Sequence, residues 1–92
     1  MMIPEEILNE HGGVSLDVEK GEYIFYEEDE PQYYYQVLEG GVKMSSYSED
    51  GQEFTQGIFH AGESFGEPAL LGGFPYPNNA IATEPSRIGR LP

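Results

Sequence analysis

Turns come so often in this chain that nothing long can form between them. Twelve glycines and seven prolines punctuate 92 residues, and the segments they separate are short and rich in Tyr, Val, Ile and Phe. β-Branched and aromatic residues held between closely spaced breakers read as strands. Their number and spacing point to an all-β double-sheet jelly roll (a double-stranded β-helix) of about eight strands. Val14-Ser15-Leu16-Asp17-Val18 alternates with period two, as a strand with one buried face does. Tyr23 to Tyr26, Tyr33 to Leu38, Val42 to Met44, Glu53 to Phe59, Asn79 to Thr83 and Arg87 to Leu91 read as further strands. Glu49-Asp50-Gly51-Gln52 is a hairpin signal, and Ala61-Gly62-Glu63-Ser64 a further turn. Two helical pieces remain. Pro4 to Glu10 places Ile3, Ile7 and Leu8 on one face and stops at Gly12-Gly13, while Glu67 to Leu71 allows one turn with Pro68 near its start. Residues 1–92 therefore read as one domain, the short helix falling within 1–13.

Charge narrows the partners. Four Lys and Arg stand against seventeen Asp and Glu, for a formal net of −13. Gripping a nucleic acid or an anionic membrane needs clustered cations, so direct contact of these residues with either is excluded. The absence of cysteine removes disulfides, Cys-ligated zinc and iron–sulfur clusters together. No stretch reaches the roughly 20 apolar residues of a membrane helix, and Met-Met-Ile-Pro-Glu-Glu has no signal-peptide character. A cytoplasmic, soluble protein is expected.

Most residues that could carry chemistry have an ordinary structural use. The acidic run Glu27 to Glu30 reads as a solvated loop. Tyr33 and Tyr35 share one side of a strand and Tyr34 the other, and such aromatics pack against cross-strand neighbours. His11 and His60, about fifty positions apart, make no metal site without a third ligand and read as surface residues. The many carboxylates lack the partners of a catalytic pair, so no enzyme is expected.

One stretch is different: Gly62-Glu63-Ser64-Phe65-Gly66-Glu67-Pro68-Ala69-Leu70-Leu71. Phe65 is an apolar anchor, and Gly66 permits a backbone conformation or approach that a Cβ would block. The helical turn starting at Glu67 offers free N–H groups suited to an anion. Glu67 can accept hydrogen bonds from a sugar hydroxyl, or simply complement the helix dipole. Phe65, Leu70 and Leu71 read as core.

From about Val14 to Leu91 the sequence resembles the cyclic-nucleotide-binding domain family, in particular the sensory domain of Crp/Fnr-type transcription regulators. The resemblance lies in Lys20-Gly21-Glu22-Tyr23-Ile24-Phe25, Val37-Leu38-Glu39-Gly40-Gly41-Val42-Lys43, Asp50-Gly51 and Phe65-Gly66-Glu67-Pro68-Ala69-Leu70-Leu71. It implies that Phe65 to Asn79 is a phosphate-binding cassette. Backbone N–H groups near Gly66 and Ala69 would meet a phosphate, and Glu67 a ribose 2′-hydroxyl. The family cassette closes with Arg, then Ser or Thr, then Ala; here the run is Pro77-Asn78-Asn79-Ala80. Asn78 stands in place of the arginine and Asn79 in place of the hydroxyl. A phosphate there loses its charge-assisted fork, and hydrogen bonds to charged groups are worth about 1.5–3 kcal/mol each.

The expected ligand residues are Phe65, Gly66, Glu67, Ala69, Asn78 and Asn79, with no metal and no resident cofactor. The expected role is that of a sensor for a small-molecule effector other than a tightly bound cyclic nucleotide. The resemblance further implies a homodimer built by a helix beyond Pro92, and DNA binding through a domain beyond it. The alternatives are a true receptor for cyclic AMP or cyclic GMP, a cupin-type small enzyme, and a purely structural domain.

Overall fold

A computed structural model describes residues 3–92. Along these residues run α1 (Glu5–Glu10), β1 (Val14–Val18), β2 (Tyr23–Phe25), β3 (Tyr34–Glu39), β4 (Gly41–Tyr47), β5 (Glu53–His60), β6 (Ser64–Phe65), α2 (Glu67–Gly72), β7 (Asn79–Ala82) and β8 (Ser86–Leu91). The strands form two four-stranded sheets, ordered β1-β8-β3-β6 and β2-β7-β4-β5, with antiparallel pairs throughout. This is the jelly roll that the turn spacing implies. Only β6 was hidden: two residues pairing with Tyr35 and Gln36 are too short to show a period, and they sit inside what reads as a turn.

The facing sides of the sheets carry the core. Val18, Phe25, Tyr35, Val37, Val42, Phe65, Ala80, Ala82 and Ile88 are buried there, joined by Ala69 and Tyr76 from the segment between β6 and β7. Phe65 lies at its centre, its ring 5.6 Å from Tyr35, 6.1 Å from Phe25 and 6.2 Å from Phe59. Aromatic rings offset at such spacings add to their burial.

Tyr35, Gln36 and Val37 are buried in succession, although strand residues alternate faces. The reason is α1, which covers the outer face of the first sheet. Gln36 accepts a hydrogen bond from the Ile3 N–H (2.9 Å) and donates one to the Ile3 carbonyl (2.5 Å). Leu8 packs over Gly89, where a Cβ would lie 2.9 Å from a Leu8 methyl. Arg87 clamps the helix by binding both Glu5 and Glu39 at 2.6 Å.

Two residues expected inside are outside. Ile7 is 41% exposed while Leu8 is buried, because successive helical residues point about 100° apart and only one meets the sheet. Leu71 is 85% exposed. In the six-residue α2, Ala69 faces the core, and Leu71, two residues on, points about 200° away.

Candidate functional site

The chain between β6 and β7 builds one wall of a cavity of about 440 Å³. Gly66 starts that wall with φ of +80°, a left-handed conformation open chiefly to glycine. A Cβ there would stand 3.2 Å from the rings of both Phe25 and Tyr76. The glycine thus allows the backbone to lie against a stacked pair whose rings are 3.5 Å apart and nearly parallel.

Helix α2 follows directly. Its first turn leaves backbone N–H groups without helical partners, but Pro68 has none to offer, and Glu67 places a carboxylate at the same end. Glu67 is the first residue of the helix. It accepts a hydrogen bond from the Ser64 hydroxyl at 2.6 Å, which fixes the carboxylate at the cavity edge.

The loop from Gly73 to Asn78 completes the wall. Phe74, Tyr76, Pro77 and Asn78 face the cavity from one side, and Met44, Gln56, Gly57 and Phe59 from the second sheet. Asn78 is 6% exposed. Its side-chain Nδ2 donates to the Gln56 side-chain oxygen Oε1 at 2.6 Å. Its own side-chain oxygen is buried and has no hydrogen-bond partner among the described residues.

Of the residues expected from the sequence, Gly66, Glu67, Ala69 and Asn78 line this cavity. Phe65 and Asn79 do not. Phe65 is 1% exposed in the core, and the Asn79 side-chain oxygen accepts the Glu27 N–H at 2.7 Å, tying the acidic loop to the start of β7. The lining also includes residues that sequence reasoning passed over. Gln56 is the clearest: Met44 pairs with Gly57 and Ser45 with Thr55, so Gln56 is the extra residue of a β-bulge. Bulges re-aim a side chain, and a glycine inside a strand pattern, here Gly57, is the signal that could have found it.

The cavity's charge is one-sided. Glu67 is the sole ionisable carboxyl or cationic group in its lining. Lys43 is bound to Glu53 at 2.8 Å, Arg87 to its two glutamates, and Arg90 lies over the Tyr33 ring at 4.3 Å. Among the described residues no three His, Cys, Asp or Glu side chains gather as metal ligands, and no helix is long and apolar enough to cross a membrane.

The model of the cyclic nucleotide-binding domain matches residues 15–92. The chain belongs to the cyclic nucleotide-binding domain family. A regulatory protein from Silicibacter pomeroyi has the same fold, with a TM-score of 0.84 and 32% identity over 96% of this chain and 39% of that one. The catabolite activator protein of Thermus thermophilus superposes with a TM-score of 0.78 at 31% identity, over 97% of this chain and 42% of that one. The regulatory subunit of a cAMP-independent protein kinase A from Trypanosoma cruzi, bound to guanosine, gives 0.76 at 25% identity, over 86% of this chain and 28% of that one. The chain thus spans about two fifths of the first two proteins. Comparison with curated protein sequences finds no significant match. In this cyclic nucleotide-binding domain Gly66 joins β6 to α2, and the domain resembles the sensor domains of Crp/Fnr regulators.

Proposed function

We propose that this domain is the ligand-sensing module of a Crp/Fnr-type transcription regulator, and that its effector is an uncharged small molecule rather than a cyclic nucleotide. The observation that carries this reading is Asn78. Where the family resemblance calls for a guanidinium, the wall presents a buried carboxamide oxygen without a partner. A lone acceptor favours a ligand that donates a hydrogen bond, and it repels a phosphate oxygen. Glu67, the other fixed acceptor, pulls in the same direction.

The apolar lining suits a flat, partly aromatic ligand. Met44, Phe59, Phe74 and Tyr76 surround the space, and Glu67 and Asn78 would orient donors at its rim. A purine nucleoside has these properties, and the Trypanosoma cruzi protein of the same fold holds guanosine. Ligand occupancy would be felt first by α2 and its Gly66 start. Dimerisation and DNA contact would be supplied by other parts of a longer regulator, and no reaction is catalysed.

Calorimetric titration of the chain with guanosine, adenosine, cyclic AMP and cyclic GMP tests the reading. A nucleoside is expected to give saturable heat, with each cyclic nucleotide at least about tenfold weaker, equivalent to 1.4 kcal/mol. Cyclic AMP or cyclic GMP binding as tightly as the nucleosides, or alone, overturns it.

A further inference from the structure

Tyr76 also lines a second cavity, of about 310 Å³. Asp29 and Glu30 bring two carboxylates to it, and Phe25, Tyr33, Tyr35 and Tyr76 supply aromatic walls. The acidic loop is not loose here. The Glu28 N–H donates to the Tyr76 carbonyl at 2.8 Å and the Tyr76 N–H to the Asp29 carbonyl at 3.0 Å. One Asp29 carboxylate oxygen accepts the Tyr26 N–H at 3.1 Å. Glu28 holds a positive φ of 76° within this turn.

Tyr76 points to a ligand. The residue is 3% exposed, yet its hydroxyl has no hydrogen-bond partner among the described residues. A buried hydroxyl is normally paired, and leaving it unpaired is costly. Burial, then Tyr35 and Asp29 nearby, pushes its pKa up to about 12, so it stays protonated and keeps an oxygen lone pair to offer. The wall already attracts cations: the Arg90 guanidinium sits 4.3 Å from the centre of the Tyr33 ring.

We infer that this second cavity is a site for a small primary organic ammonium ion, held by Asp29, Glu30 and the Tyr76 hydroxyl against the tyrosine faces. An ammonium group carries three donors, matching two carboxylates and one hydroxyl oxygen. Its alkyl part fits aromatic walls that a hydrated metal ion would not use. A hard cation needs six or more oxygen ligands in place, and two carboxylates do not supply them. An anion is excluded by the same two carboxylates. The site is separate from the nucleoside cavity, and its test is independent of that reading.

The test is an NMR titration of the ¹⁵N-labelled chain with n-butylammonium chloride, beside n-butanol, potassium chloride and magnesium chloride. Saturable shifts of the Asp29, Glu30 and Tyr76 amides are expected with butylammonium alone. Glu30→Gln removes one charge from a side chain that makes no hydrogen bond or ion pair among the described residues, and Tyr76→Phe removes the hydroxyl while keeping the ring stack. Glu30→Gln is expected to weaken binding about tenfold, and Tyr76→Phe several-fold, with both variants as stable as the parent. The absence of saturation, equal shifts with butanol or magnesium, or unchanged affinity in both folded variants overturns the assignment.

Discussion

Asn78→Arg should convert a cavity that lacks a cation into one that holds a cyclic phosphate. The magnitude follows from the charges already accounted for. Lys43, Arg87 and Arg90 are engaged outside the cavity, and Lys20 does not line it, so a phosphate entering now meets Glu67 and no cation. A guanidinium at position 78 replaces an unpartnered acceptor by a planar fork of donors. Each charge-assisted hydrogen bond contributes about 1.5–3 kcal/mol. Against the pair of bonds such a fork makes stand the desolvation of a group now 6% exposed and the lost bond to Gln56. A net gain of about 1.5–3 kcal/mol is expected, tightening cyclic AMP roughly tenfold to a hundredfold. The assay is calorimetric titration of parent and variant with cyclic AMP and, as a control without charge, adenosine. Thermal unfolding confirms that the variant is folded. A folded Asn78→Arg protein that binds cyclic AMP no better than the parent, or gains as much for adenosine, refutes the electrostatic reasoning.

Gly66→Ala must hold a left-handed φ and press a methyl onto Phe25 and Tyr76 at 3.2 Å. The backbone term of about 1–2 kcal/mol and an overpacking term of about 1–3 kcal/mol predict a loss of about 2–5 kcal/mol in urea unfolding, and a loss near zero would show that the stack yields freely. Gln36→Leu strands the Ile3 N–H and carbonyl, so unfolding should ease by about 1–3 kcal/mol and the amides of Ile7 and Leu8 should exchange faster. Hydrogen bonds from Lys43 and Ser45 hold the Glu53 carboxyl below the usual carboxylate range. Its contribution to the β4–β5 hairpin is therefore complete above the ordinary carboxylate pKa and lost as the pH falls through the lowered one. The stability difference between parent and Glu53→Gln should vanish at the acid end of a pH series; a difference that persists there contradicts this.

Apart from β6, the strands were legible because each announces itself locally. Val14 to Val18 alternates, and Gly51 marks the hairpin turn with left-handed backbone. That Gly66, Glu67, Ala69 and Asn78 line one cavity fits their lying within thirteen positions of one another, Asn78 having entered through the family resemblance. What stayed hidden depends on segments far apart in the chain. The contact of Gln56 with Asn78 spans 22 positions, and that of Glu27 with Asn79 spans 52. The run of like charges marks residues 27–30 as solvated, and their side chains are exposed. It gave no hint that their backbone is fastened to Tyr76 and Asn79. Burial of Gln36 likewise comes from α1 arriving across the sheet, which no period within β3 encodes.

The Phe25–Tyr76 stack carries one more implication. Tyr76 lines both cavities, its ring stacked on Phe25 and lying close to Gly66. A ligand that shifts this ring in one cavity would change the lining of the other. Two such occupants would be thermodynamically linked, each altering the other's affinity by the same factor. With both cavities filled, the shared ring would let the domain compare two signals rather than report one.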